Sequence, residues 1–102
     1  MFNRVVVTYT IRPEARDEHV RLIEQVFEQL SSEAPTNVDY QVLCLDDGLS
    51  FVHMSTAETE DGSNPIPELS AFKEFTRDIA NRLTAPPRSS DVSLVASYRG
   101  RG

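Results

Sequence analysis

Residues 38–56 read VDYQVLCLDDGLSFVHMST, and the way this stretch pairs with itself decides the fold. Val38 to Leu45 and Leu49 to Thr56 are rich in β-branched, aromatic and long aliphatic residues, which suit a pleated, half-buried surface. Between them, Asp46-Asp47-Gly48 supplies turn chemistry. Gly48 can take the left-handed conformation that closes a three-residue hairpin with a bulge. With Leu45 facing Leu49, one face carries Val38, Tyr40, Val42 and Cys44 beside Ser50, Val52, Met54 and Thr56. The other carries Gln41, Leu43 and Leu45 beside Leu49, Phe51 and His53, with His53 opposite Gln41. Both faces are mainly apolar. A helical layer covers only one face of a sheet, so the second face calls for another cover, which a second copy of the chain would supply.

Upstream, Val5 to Ile11 reads as an inner strand, apolar on both sides at its start. Pro13 stops it and opens a helix, with Glu14, Asp17 and Glu18 at the positive end of the helix dipole. Leu22, Ile23, Val26, Phe27 and Leu30 recur at offsets of three and four, an amphipathic stripe, before residues 31–37 end the helix. Downstream, Ala57 to Pro67 is an acidic, turn-rich loop. Pro67 and Glu68 open a second helix, whose buried stripe is Leu69, Phe72, Phe75, Ile79 and Leu83. Lys73, Glu74, Arg77, Asp78 and Arg82 are assigned to its water-facing side. Val92, Leu94, Ala96 and Tyr98 alternate with polar or smaller residues, which predicts a fourth strand there. The order β-α-β-β-α-β predicts an α+β, ferredoxin-like domain with a four-stranded antiparallel sheet and both helices on one side. Residues 1–102 form a single domain on this reading, with 99–102 a flexible tail.

Sixteen acidic against ten basic residues give a formal charge of -6, which disfavours a nucleic-acid backbone as partner. No run approaches the roughly 20 apolar residues of a membrane span, and the start of the chain lacks the pattern of a signal peptide. A single cysteine, Cys44, permits no internal disulfide and fits a reducing compartment, so residence in the cytoplasm is expected. Placed on an apolar strand face, Cys44 reads as a buried, inert thiol.

Common catalytic signatures are missing. No glycine opens a helix after a strand, so no phosphate loop is present. There is no cysteine pair, no His-x-x-x-His and no calcium-loop spacing, and neither histidine accompanies a serine-nucleophile motif. Neither a metal nor a cofactor is expected. What remains is a small set of polar side chains on strands and at helix margins. His53, in mid-strand on an apolar face, could transfer a proton; alternatively it is a hydrogen-bonded interface residue. Tyr9, Tyr40 and Tyr98 could direct phenolic hydroxyls at a substrate oxygen, or simply pack their rings. His19 sits beside the first helical stripe, and Asn3 precedes the first strand within reach of a cleft mouth.

The opening Val5-Val6-Val7-Thr8-Tyr9-Thr10-Ile11-Arg12-Pro13-Glu14, the first helical stripe, Tyr40 to Leu45, Phe51 to Met54 and Leu69-Ser70-Ala71-Phe72-Lys73-Glu74-Phe75 together resemble the dimeric α+β barrel superfamily. The similarity is to its small antibiotic biosynthesis monooxygenase-like proteins. The resemblance covers nearly the whole chain and speaks to architecture more than to activity. It implies a homodimer whose sheets pair into a barrel, and for some members oxygenation of aromatic or quinol compounds with no metal or flavin. Haem-degrading members use a tryptophan and a histidine near the second helix; here Trp is absent and residues 68–83 hold no His, which argues against haem chemistry. Two functions therefore stand. One is a cofactor-independent monooxygenase acting on a small aromatic or polyketide-like compound, with His53 and Tyr9 as catalytic residues and Tyr40, Tyr98, His19 and Asn3 binding substrate. The other is a non-catalytic homodimeric domain that binds a small molecule or a protein.

Overall fold

The computed structural model describes residues 1–100. Its elements are β1 (Phe2–Thr10), a 3-10 turn (Pro13–Ala15), α1 (Arg16–Glu33), β2 (Val38–Cys44), β3 (Ser50–Glu58), a second 3-10 turn (Ile66–Glu68), α2 (Ser70–Thr76), α3 (Ile79–Arg82) and β4 (Arg88–Asp91). The sheet is antiparallel in the order β2-β3-β1-β4, so β1 and β3 are central. This is the ferredoxin-like arrangement that the element order predicts. The barrel is not formed. β2 and β4 lie at opposite edges and share no ladder, so the sheet stays open. These four strands leave two edges unpaired, because too few strands are present to curl back and pair β2 with β4.

α1 follows directly on the 3-10 turn that Pro13 opens, and ends where Ala34 turns left-handed (φ 46°) and donates its N–H to the Leu30 carbonyl at 2.7 Å. Pro35 blocks any further turn. Its buried residues are His19, Leu22 and Val26, so the stripe begins one turn earlier than its apolar members suggest. They pack with Tyr9, Ile11, Phe51, Ile66, Leu69, Phe75 and Leu83 in one core between the sheet and the helices.

Three local features differ from the sequence expectation, and each has a physical cause. The hairpin is shifted by one residue: Leu45 N–H bonds the Ser50 carbonyl at 2.8 Å, and Cys44 lies opposite Phe51. The Asp47 carboxylate makes this turn by accepting the Leu49 and Ser50 N–H groups, each at 2.8 Å, and the Ser50 hydroxyl at 2.6 Å. Gly48 follows with φ 73°. A one-residue shift exchanges the faces of β3 relative to β2. Tyr40, Val42 and Cys44 thus share the helix-facing side with Phe51, His53 and Ser55, and His53 opposes Val42, not Gln41. Cys44, at the strand end, is exposed and not buried.

The second helix is broken. Arg77 is extended (ψ 130°) and Asp78 left-handed (φ 59°), which separates α2 from α3. The interruption frees carbonyls at the end of α2. Arg82 turns inward to meet them, donating to the Phe75 carbonyl at 2.5 Å and the Arg77 carbonyl at 3.3 Å. Arg82 is therefore buried, at 8% exposure, and does not face water.

The fourth strand comes before the alternating segment. Thr84 N–H bonds the Thr10 carbonyl and Leu83 bridges Ile11, which aligns Arg88–Asp91 with Val5–Thr8. After Val92 N–H bonds the Arg4 carbonyl, β1 is nearly used up, and residues 93–98 join no ladder. The tail expected at 99–102 falls outside the described residues at Arg101 and Gly102.

Candidate functional site

β1, β2 and β3 each contribute one polar aromatic side chain to the core: Tyr9, Tyr40 and His53 respectively. His19 enters from α1 and Arg82 from the end of α3. Together they form one line of hydrogen bonds. Arg82 Nε lies 3.1 Å from His19 Nδ1, and His19 Nε2 lies 2.6 Å from the Tyr9 hydroxyl. That hydroxyl lies 2.5 Å from His53 Nε2, and His53 Nδ1 lies 2.6 Å from the Tyr40 hydroxyl. His19 has 0% exposure and His53 7%.

The proton positions follow from the arginine. A guanidinium can only donate, so His19 Nδ1 accepts and the neutral ring carries its proton on Nε2. That N–H donates to the Tyr9 oxygen, and the Tyr9 O–H then donates to His53 Nε2. His53 is left with its proton on Nδ1, donating to the Tyr40 oxygen. Both rings are held neutral: burial lowers the His19 pKa to about 4, reinforced by the Arg82 charge and by His53, and burial lowers that of His53 to about 4. Burial also pushes the Tyr9 and Tyr40 hydroxyls above their ordinary range.

The Tyr40 end of this line reaches a cavity of about 450 Å³ between the sheet and α2. Its walls are mainly apolar (Val5, Val7, Ile66, Phe72, Phe75 and Ile79), and its polar members are Asn3, Tyr9, Tyr40, His53, Ser55, Asn64 and Thr76. Size and lining are those of a small-molecule site. Tyr40 is steadied from behind by Phe27, the rings stacked at 5.1 Å and within 8° of parallel. A shallower groove of about 620 Å³ between α1 and β2, lined by Arg16, Val20, Ile23 and Glu24 among others, has no such convergence of buried polar groups.

Of the residues singled out from sequence, Tyr9, Tyr40, His53 and Asn3 lie on the cavity wall, and His19 stands behind Tyr9. Tyr98 is elsewhere, 94% exposed on the terminal segment. Arg82, Ser55 and Asn64 were not anticipated. Periodicity held no signal for Arg82, because the break between α2 and α3, and not a continuous helical face, brings it inward. Among the described residues no group of three or more His, Cys, Asp or Glu side chains is placed to hold a metal ion. No helix among them is long and apolar enough to cross a membrane.

No family model matches the chain, and no curated protein matches it either. Solved structures do. A protein from Nitrosomonas europaea provisionally named as an antibiotic biosynthesis monooxygenase superposes with a TM-score of 0.74 at 15% identity, covering 92% of this chain and 90% of its own. One from Bacteroides thetaiotaomicron, provisionally given the same name, reaches 0.78 at 11% identity, covering 99% and 96%. SnoaB, a cofactor-independent oxygenase from Streptomyces nogalater, reaches 0.68 at 11% identity, covering 94% and 95%. The chain has the fold of the small antibiotic biosynthesis monooxygenase-like α+β proteins. At these identities the likeness establishes fold, and the chemistry must be argued from the cavity.

Proposed function

We propose that the cavity binds a small aromatic hydroxy or keto compound and promotes its oxygenation by dioxygen, with no metal or organic cofactor taking part. The observation that carries this reading is the buried line of alternating histidines and tyrosines that ends at an apolar cavity of about 450 Å³. A polar line of this length is costly to bury unless every member is partnered, as these are. The oxygenase name attached to SnoaB, which shares the fold, adds support.

The chemistry balances without a cofactor when the substrate carries an acidic CH2 group conjugated to a carbonyl or a phenol. Loss of one proton to water gives an enolate. Its carbon bonds to dioxygen, and the resulting peroxide takes up a proton and expels water. CH2 plus O2 becomes C=O plus H2O, with one oxygen atom in the product. Tyr40 touches the substrate oxygen in this scheme. Both ring nitrogens of His53 are engaged, so His53 acts through Tyr40, and Tyr9 and His19 hold His53 in turn. Phe72 and Phe75 supply the apolar walls against which an aromatic ring packs.

The outer sheet face supports association of this domain with a second copy. Leu43 (50% exposed) and Met54 (41% exposed) lie there with Val6 and Val52.

Oxygen uptake with tricyclic aromatic ketones such as anthrone tests the reaction. With 18O2, one labelled atom should enter the product and the other appear as water. Tyr40→Phe should lower kcat by about 100-fold, the usual effect of losing one preorganised donor to a developing oxyanion. Binding of such ketones with no uptake would leave a binding domain in place of an enzyme. Uptake unchanged in Tyr40→Phe would remove Tyr40 from the mechanism.

A further inference from the structure

The line of hydrogen bonds has a sense as well as a path. Each link from Arg82 to Tyr40 points the same way, because its first member cannot accept. The Tyr40 oxygen receives the His53 proton, and its own hydrogen finds no acceptor among the described residues. A second, shorter line runs alongside it. Asn64 Oδ1 accepts the Ile66 backbone N–H at 3.0 Å, which fixes the orientation of the amide. Its Nδ2 then donates to Ser55 Oγ at 3.4 Å, leaving the Ser55 hydrogen free as well. Tyr40 and Ser55 are cross-strand neighbours on β2 and β3, and both line the cavity. Two hydroxyls from independent lines therefore offer hydrogens to the same wall.

The charge behind that wall is unbalanced. Arg82 is held by His19, by two backbone carbonyls and by the Phe75 ring face, 5.4 Å from its guanidinium carbon. Among the described residues no carboxylate lies within ion-pair distance of it. Glu18 and Asp78 act on it only from further away. The cavity lining itself includes no charged side chain. The groups facing Tyr40 along the line are His53 from β3, Tyr9 from β1, His19 from α1 and Arg82 from α3, and only Arg82 is charged at neutral pH.

We propose that this cavity selects its ligand in the deprotonated form, a phenolate or enolate oxygen held by the Tyr40 and Ser55 hydroxyls, with Arg82 as the positioning residue that fixes the sense of the Tyr40 line. A neutral phenol brings a hydrogen of its own to a wall that already presents two, and an ammonium group brings only donors. This rests on the cavity being the substrate site. It adds that the protein supplies the anion by lowering the ligand's own pKa, and not by presenting a basic side chain.

4-Nitrophenol tests this directly, since its phenolate absorbs visible light and its phenol does not. Titration of wild-type protein at about pH 6, where most free ligand is neutral, should raise the phenolate band, with the bound pKa at least about one unit below the free value. Tyr40→Phe should weaken phenolate binding by about 10- to 100-fold, the range for a hydrogen bond to a charged acceptor. Binding of 4-nitroanisole, which cannot ionise, should change by less than about threefold. Arg82→Gln should return the bound pKa towards the free value. Should that variant not fold, 15N spectra of wild-type protein must still show His53 protonated on Nδ1 with ligand bound. Failure of 4-nitrophenol to bind, binding as the neutral phenol, or equal loss of both ligands in Tyr40→Phe would each overturn the proposal. Trapped phenolate without oxygen uptake from any substrate would sustain it while removing the oxygenase reading. Uptake with a neutrally bound phenol would do the reverse.

Discussion

Lowering the pH from 7 to 4 should destabilise this protein through two identifiable rings, His19 and His53. In the unfolded chain each titrates near 6.5; in the fold both are lowered to about 4. The unfolded state then binds more protons between those values, so stability rises with pH across the interval. The full contribution is present above about pH 6.5 and is lost progressively as pH falls towards 4. At about 1.4 kcal/mol per pH unit, each ring kept neutral is worth roughly 3 kcal/mol. The rings share the Tyr9 hydroxyl and one already repels the other's charge, so they do not titrate independently. A combined loss of about 3–5 kcal/mol is expected, a large part of the roughly 5–15 kcal/mol that holds a domain of this size. Urea unfolding followed by circular dichroism at half-unit pH steps measures it. Long-range 15N–1H spectra of the imidazoles assign it, with His19 protonated on Nε2 and His53 on Nδ1. Stability that stays flat from pH 7 to 4.5, or either ring titrating near its ordinary value, would refute the reasoning.

Two further outcomes follow from the same structure. Tyr9→Phe keeps the ring but leaves His19 Nε2 and His53 Nε2 without a partner in the core, and should cost about 2–4 kcal/mol and lower Tm by about 10 °C or more; a loss below about 0.5 kcal/mol would mean the line is not intact in solution. Light scattering should find a mass of two chains for the wild type and of one for Leu43→Glu, since a carboxylate on the outer sheet face opposes its burial. A monomeric wild type would dispose of the second copy.

Much of this was legible in the residues. Strand-like runs and two helical stripes sufficed for the element order, and three of the polar residues that line the cavity, Tyr9, Tyr40 and His53, stood out as polar groups on strands with apolar surroundings. What hid the site was register. The Asp47 side chain, by capping two backbone N–H groups, moves the hairpin by one residue, and only then does Tyr40 share a face with His53. Periodicity cannot see that, because either register gives two apolar faces. Arg82 was hidden by a similar step. A helix taken as continuous puts charge outside by default, whereas the break at Asp78 exposes carbonyls that draw the guanidinium inward. The alternation of Val92 to Tyr98 was real but had almost no strand left to pair with, since β1 begins at Phe2.

The one-way line of donors also bears on how such a site can diverge. Its five members come from five separate elements, and the role of each proton is set by the residue before it. Replacing one member by a residue of the wrong donor or acceptor character strands a buried atom on either side of it. Positions 9, 19, 40, 53 and 82 should therefore covary among relatives, appearing together or being lost together. Drift at one of them would be constrained by the other four, however far apart they lie in the chain.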